Sequence, residues 1–391
     1  MRDPKIWACA VGTFNDTVAF AVDHPDGWGT ESRQRQVRGL LGEFILQSPL
    51  KFAHNLYFEQ EWTNYFWGPR ALRLTDWEDT MCQAFTLDGR EGTKGLGPQT
   101  RMAFGFDVKE QSPIDPARFI EYPIRDGLRY NGMDSKWTDK LSIHNDALLD
   151  EEPSLRDSYN RRVALIPALV LSTAKGVPVD QRYANNLLNE MSGTLREVER
   201  DLGKCPEVRE YERSRARLAP SNNDQILTLM RDVCKRPEIE DEDRDGRVTY
   251  STDEEHLSLI PEGECRSAAL ILRWRQVDKL RGYLRAIAEG TVIAPDGLVH
   301  TIYSALRAIT GRLTSEEPNL QNIPHRTADG RRVRDAYYAE AGKWIAALDY
   351  GQIEARVIGM ASEDERLVRY QWTGYDIHGY WAGRITDKHP K

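Results

Sequence analysis

Apolar and polar positions follow a two-residue rhythm only at the start of the chain. Ile6 to Val11 and Val18 to Val22 are β-rich runs separated by Asn15 and Asp16, which predicts two strands joined by a turn. Helical spacing takes over at about 31–47 and 55–66. Dense glycine and proline from Gly89 to Pro116 predicts loops crossing a surface. A mixture of this kind over the first 150 residues is expected of an α/β layer domain.

From Ser154 to about Glu289 the rhythm is helical throughout. Ser154 with Asp157 three residues on predicts a capped start, and Gly176 a stop, with Val163, Ile166, Leu169 and Val170 on one face. A second helix is predicted from Asp180 to Leu202 before Gly203, carrying Leu187, Leu188, Met191, Leu195 and Val198. The short link predicts that these two helices are antiparallel neighbours. A third helix near 266–288 turns Ile271, Trp274, Val277, Leu280 and Leu284 inward and presents Arg273, Arg275, Lys279, Arg281 and Arg285. Such a cationic face can hold phosphates or simply meet solvent, and taken alone either reading serves. Near the end, the apolar run Trp344 to Leu348, then Asp349-Tyr350-Gly351, then Gln352 to Ser362 with Ile353, Val357 and Met360 in helical register reads as strand, turn, helix. Asp349 would then stand at the end of a buried strand, where an oxygen ligand can be aimed rigidly at a divalent ion.

Composition narrows the function classes. A chain of 391 residues, 40% hydrophobic and 29% charged, has material for two or three cored domains. No apolar run approaches the roughly 18 residues of a spanning helix, and Met1 to Lys5 followed by Ile6 shows no signal-peptide core, so a membrane or secreted protein is not expected. Cys9, Cys82, Cys205, Cys234 and Cys265 are far apart in sequence and form no CxxC pair, which points to a reducing compartment without a disulfide framework or zinc knuckle. With 53 basic against 61 acidic residues the net charge is −8, so a nucleic-acid partner would have to meet a local basic patch. The sharpest acidic stretch, Glu238 to Gly246, reads most simply as a solvated loop.

Local chemistry supplies that patch. Thr310 to Arg326 is rich in amides and guanidinium and poor in apolar periodicity. Asn, Gln and Arg side chains donate to phosphate, sugar and minor-groove acceptors, which suits holding a duplex without reading its sequence. Between 326 and 343, Arg326, Arg331, Arg332, Arg334 and Lys343 outnumber Asp329, Asp335 and Glu340, giving a basic strip next to Asp349 in sequence.

The run Thr310 to Arg326, then Gly330-Arg331-Arg332-Val333-Arg334, then Asp349-Tyr350-Gly351-Gln352-Ile353-Glu354-Ala355-Arg356, and finally Gly374-Tyr375-Asp376-Ile377-His378 resembles the palm of family A DNA polymerases. The helical middle resembles the family's thumb and the N-terminal third its RNase H-like 3′–5′ exonuclease domain. The resemblance implies an α/β exonuclease-like domain over 1–150, an all-α thumb over 151–292 and a partial α+β palm over 293–391.

It also implies roles. Asp349 would be one of two carboxylates holding a pair of Mg²⁺ ions, with the Tyr350 carbonyl a further ligand. Gln352 and His378 would contact the incoming nucleotide or its phosphates. Glu354 stands where the family excludes a ribose 2′-hydroxyl. Arg312, Gln321, Asn322 and Arg326 match primer-template contacts, and Gly351 replaces the family's usual serine. Tyr130-Asn131-Gly132-Met133-Asp134 is similar to the third exonuclease motif, in which the tyrosine orients water and the aspartate binds metal. His54-Asn55-Leu56-Tyr57-Phe58-Glu59 resembles the second motif, with Glu59 in place of aspartate, and Asp79-Thr80-Met81 fits a structural position.

The first exonuclease motif, expected just ahead of Ile6, and the fingers and second palm carboxylate, expected after Lys391, are not within these residues. The resemblance therefore implies a DNA-directed DNA polymerase of replication or repair that takes primer-template DNA and deoxynucleoside triphosphates. Activity would need a second polypeptide or a C-terminal half that also covers the palm edge. The expected location is the cytoplasm of a bacterial or phage-infected cell. The competing expectations are a catalytically dead DNA-binding accessory protein of the replisome and, third, a 3′–5′ exonuclease.

Overall fold

The alternating runs at the start pair as predicted, β1 (Ala8–Gly12) antiparallel to β2 (Thr17–Ala21) with Ala8 opposite Ala21. The computed structural model describes residues 5–13, 16–47, 50–73, 76–111, 114–236, 240–242, 248–261 and 263–385, so Asn15 of the predicted turn lies outside the described residues. After α1 (Glu31–Gln47), β3 (Leu50–Ala53) and α2 (Leu56–Trp67), β4 (Asp76–Asp79) runs parallel to β3 and leads into α3 (Thr80–Leu87). Asp79 caps α3 by accepting from the Met81 N–H at 2.9 Å.

The segment predicted as surface loops instead forms α4 (Leu96–Phe104) and α5 (Val108–Gln111), a correction with a packing cause. Gly97 is there for close approach: a Cβ would come within 2.4 Å of the Asp107 carboxylate. Leu96, Val108 and Leu141 close a small core beneath these helices. Leu141 comes from α6 (Ile124–Asp150), which also covers β1 and β2.

A second correction concerns α7 (Pro153–Lys175), which ends at Gly176 with φ 62° as the sequence indicates. Its start is one residue early: Pro153 opens it, and Ser154 Oγ donates to Glu152 rather than capping. More consequentially, α7 packs on α2, α3 and α6, while α8 (Gln181–Leu202) takes a different partner. Ile166 and Val170 share a core with Ala53, Leu56 and Leu72, and Tyr159 one with Cys82 and Leu149. The link is redirected because Val177 and Pro178 form β5, paired antiparallel with β8 (Leu298–Val299). The α7 face therefore completes the N-terminal core, which extends to Lys175.

Beyond α8 come α9 (Pro206–Glu212), α10 (Asn223–Thr228), a π-turn over Leu229–Val233, the hairpin β6 (Glu240–Glu242) and β7 (Val248–Tyr250), α11 (Glu254–Ser258) and α12 (Arg266–Ala288). The acidic stretch read as a loop thus carries one strand of a hairpin; Glu238, Ile239 and 243–247 lie outside the described residues. Leu187, Met191 and Leu195 of α8 interlock with Val277, Leu280, Leu284 and Ile287 of α12, the register predicted for both helices. Burying Leu284 completely contributes on the order of 2 kcal/mol before cavity effects.

The larger unit closes with β9 (Ile302–Ser304), β10 (Thr314–Glu316) and α13 (Ala328–Arg334), and ends at Tyr338. A smaller unit from Ala339 holds α14 (Ile353–Ser362), α15 (Glu365–Trp372) and α16 (Ile377–Ile385). Within it Gly359 lies against Gln371, whose side-chain amide donates to the Ala355 carbonyl and joins α15 to α14. Trp344 to Leu348 is not a strand, contrary to the pattern: Trp344 and Leu348 are 94% and 95% exposed. A strand exists by its ladder, and among the described residues no strand pairs with this run. The described sheets are all two-stranded and the protein is predominantly helical. No described helix is long and apolar enough to cross a membrane.

Candidate nucleic-acid interface and metal site

In the larger unit, the amide-rich segment is pinned from beneath so that its side chains stand outward. β10 pairs with β9, Glu316 opposite Ile302. Thr301 Oγ1 donates to the carbonyls of Glu316 and Pro318 at 3.1 and 2.7 Å. Buried Ser315 donates to Asn319 Oδ1 at 3.0 Å and accepts from the Gln321 N–H at 3.0 Å, while Asn319 Oδ1 also accepts from the Asn322 N–H at 3.2 Å. From α12, Tyr283 Oη donates to the Asn322 carbonyl at 3.0 Å. Ile323 then plugs the core shared by Val333 and Ala336. Backbone and small polar groups are consumed inward, leaving Gln321, Asn322 and Arg326 exposed around one buried isoleucine; Arg312, before β10, is exposed too.

Asn319 and Ser315 were not singled out from sequence, although an Asn four residues after a Ser at a turn is a recurrent local hydrogen-bonding pair. α13 follows, capped by Thr327, which accepts from the Gly330 N–H at 3.0 Å. Gly330 meets the Pro324 backbone so closely that a Cβ would sit 3.0 Å from it.

Much of the cationic surface is internally committed. Arg332 forms a bidentate pair with Glu190 at 2.8 and 2.6 Å, and Arg331 donates to the Arg326 carbonyl at 3.1 Å. On α12, Arg273 pairs with Asp329 at 2.8 Å and Arg281 with Asp278 at 3.0 Å. Arg275 spans the carbonyls of Pro220 and Thr252 and the side chain of Asn223. These three arginines are braces between elements, which neither of the sequence-level readings of that face anticipates.

In the smaller unit, Asp349 and Tyr350 are exposed ahead of α14. Gln352, φ 54° and ψ 44°, precedes α14 in the left-handed region and donates to Asp376 Oδ1 at 3.4 Å. Asp376 also accepts from the Gly379 N–H at 3.0 Å, so Gln352 is tied to the first turn of α16, the helix that carries His378. The His378 side chain lies outside the described residues. Glu354 is exposed in the first turn of α14, and Arg356 Nε donates to the Gly351 carbonyl at 2.7 Å, fixing the turn after Tyr350. Asp349 and Tyr350 offer hard oxygen donors, and Mg²⁺ is commonly held by one or two carboxylates with substrate phosphates and water. The donor chemistry fits, although no cluster of three potential ligands occurs among the described residues.

The exonuclease-like residues are arranged differently. Asn55 precedes α2 with φ 78°, its N–H donating to Asp79 Oδ1 at 3.0 Å, so Asp79 ties α2 to α3 in the structural role suggested by its pattern. Glu59 has a carboxyl oxygen buried without a partner among the described residues, and burial, with the Asp79 charge adding, pushes it up to about 8. Nearby, burial drives His54 down to about 3. Tyr130 and Asp134, one turn apart on α6, both accept from Lys109 Nζ, at 2.6 and 2.5 Å. That ammonium also lies 4.2 Å from the Tyr130 ring centroid. A protonated Glu59 and an Asp134 already paired with ammonium do not fit a divalent cation in this arrangement. Lys109 lies 25 residues from Asp134, on a four-residue helix that the pattern did not predict.

Comparison with known proteins decides the family: the model of DNA polymerase family A matches residues 187–391. The chain belongs to DNA polymerase family A. The match covers all of the outward-facing segment and the Asp349 turn. DNA polymerase I of Chloroflexus aurantiacus is 31% identical over 358 residues, 87% of this chain and 36% of that protein. DNA polymerase I of Geobacillus stearothermophilus is 32% identical, over 77% of this chain and 33% of its own. This family A chain thus spans about a third of the length of these relatives. The POL domain of Pol1 from M. smegmatis, solved in complex with DNA primer-template and dNTP, superposes with a TM-score of 0.73 at 22% identity, covering 96% of this chain and 63% of that one. The shared fold is that of a polymerase domain.

Proposed function

We propose that this chain is the DNA-holding portion of a family A DNA polymerase acting in replication or repair. In this reading residues 1–150 with α7 form an RNase H-like exonuclease-like layer, the α8–α12 region the thumb, and the segments from 293 onward part of the palm. The observation that carries it is the outward presentation of Gln321, Asn322 and Arg326 on a backbone pinned by Ser315, Asn319, Thr301 and Tyr283. A rigid row of amide and guanidinium donors suits groove and phosphate acceptors of a primer-template without selecting a sequence. Asp349 and the Tyr350 carbonyl would hold Mg²⁺, which when bound activates the primer hydroxyl and offsets triphosphate charge. Gln352, tied to Asp376, and His378 would meet the nucleotide, and Glu354 would exclude a 2′-hydroxyl. Two-metal chemistry needs a second carboxylate, so extension is assigned to this chain together with a second polypeptide or a C-terminal half.

The test is fluorescence anisotropy with a labelled primer-template. Asn322→Ala with Arg326→Ala is expected to weaken binding about tenfold, and Arg326→Ala alone to lower the salt slope by about one. Unchanged affinity would remove the proposal. With the complementary polypeptide, Mg²⁺ and deoxynucleotides supplied, Asp349→Ala should abolish extension while leaving binding intact. Binding that never supports extension under those conditions would favour the accessory-protein reading. An exonuclease is not proposed, since Lys109 occupies the Asp134 carboxylate.

A further inference from the structure

Cys234 and Cys265 are 31 residues apart in sequence and belong to different elements, yet the fold puts them side by side. Cys234 closes the π-turn over Leu229–Val233, its N–H donating to the Leu229 carbonyl at 3.0 Å. Cys265 is the residue before α12, 3% exposed, in the core cluster against which Cys234 packs. The two thiols are in hydrogen-bond contact. An independent ion pair brackets them: Arg236, two residues after Cys234, is paired with Glu264, the residue before Cys265. Both backbones are therefore held together on either side of the sulfurs.

The surroundings differentiate the two. Cys265 Sγ lies 3.2 Å from Ser267 Oγ and 4.0 Å from Met230 Sδ, at the N-terminal end of a 23-residue helix, where negative charge is favoured. Glu207, 3.9 Å away, is itself occupied by the Ser267 N–H at 2.8 Å. The hydrogen bond from Cys234, with help from Ser267 and the Ala268 N–H, brings Cys265 down to about 7, while the thiol that donates, Cys234, is pushed up. Cys205, in the same cluster, is raised by burial. A thiolate beside a protonated thiol is the arrangement of an attacking and a resolving cysteine.

We propose that Cys265 and Cys234 form a peroxide-responsive pair that closes an intramolecular disulfide at the foot of α12. Cys265 thiolate attacks one oxygen of a hydroperoxide, the O–O bond breaks, and the released hydroxide takes up the proton that left the Cys265 thiol. The sulfenic acid at Cys265 is then attacked by Cys234 sulfur, and water leaves carrying the Cys234 proton. Two thiols lose two electrons in total and hydrogen peroxide becomes two waters, with no further reagent. The product ties the excursion through β6, β7 and α11 to the first turn of α12.

The experiment treats the reduced full chain with equimolar hydrogen peroxide, blocks residual thiols with iodoacetamide and digests without reductant. The expected result is one linked peptide containing Cys234 and Cys265, lost on reduction. In Cys234→Ser, Cys265 should accumulate as a dimedone-trapped sulfenic acid. In Cys265→Ser, peroxide consumption should fall about tenfold or more, as thiolate chemistry requires. A cross-link to Cys205 or Cys9, or both cysteines recovered fully alkylated from the treated wild type, overturns the proposal. The wild-type peptide map needs no variant to fold, so the proposal stands or falls on it.

Discussion

The amine of Lys109 stands between Tyr130 and Asp134, and its charge offsets what burial does to the Asp134 carboxyl, which is nonetheless raised. Replacing it by Lys109→Met should raise Asp134 further, readable in a carboxyl NMR titration, and cost about 1–3 kcal/mol of stability because two buried acceptors lose their donor. A pH effect follows from neighbouring buried groups. Glu59 moves from its usual 4.5 to about 8 and Asp79 from 3.8 to about 6, so the folded state holds protons that the unfolded chain releases. Their contribution is greatest at low pH and is lost as pH rises through the folded values. His54, lowered to about 3, acts oppositely, its contribution being lost as pH falls below 6.5. Above pH 6.5 the Glu59 effect remains, so Tm should decline between pH 6.5 and 8, and Glu59→Gln should flatten that decline. The acidic residues of this layer were legible in the sequence as motif members. Their pairing with Lys109 was not, because the contact depends on where a four-residue helix is placed by the fold.

At the scale of elements, the pattern of apolar residues located α8 and α12 and their buried faces, because each stripe is complete in itself. Leu284→Ala, at the centre of their contact, should cost about 2–5 kcal/mol in chemical denaturation. Gly330→Ala should cost about 1–3 kcal/mol, since the Pro324 backbone cannot yield to a Cβ. The partner of α7 could not be read from its own stripe: Ile166 and Val170 suit any apolar surface, and the pairing of β5 with β8 decided which one they meet. The glycines and proline between 89 and 116 looked like loop chemistry, yet Gly97 permits close packing against Asp107. Trp344 to Leu348 had the composition of a strand without a described partner to make one. In the amide-rich segment, the outward residues were legible from residue type, whereas the Ser315–Asn319 lattice that presents them was visible only in three dimensions.

For the whole molecule, the net charge of −8 conceals a division of labour among its arginines. Several are spent on holding elements together, and the resemblance read from ordered motifs proved more informative than total charge. Arg275 illustrates what such a brace does at long range. Its guanidinium fastens Pro220, Asn223 and Thr252 to α12, with shared hydrogen bonds that no lysine could reproduce in number or geometry. The segments around α10 and α11 and the helix α12 should therefore open together, as one cooperative block in native-state hydrogen exchange. In Arg275→Lys the amides of 222–228 and 252–258 should exchange faster while those in the middle of α12 keep their protection. A single side chain would thus set whether this region breathes as one body or as separate pieces.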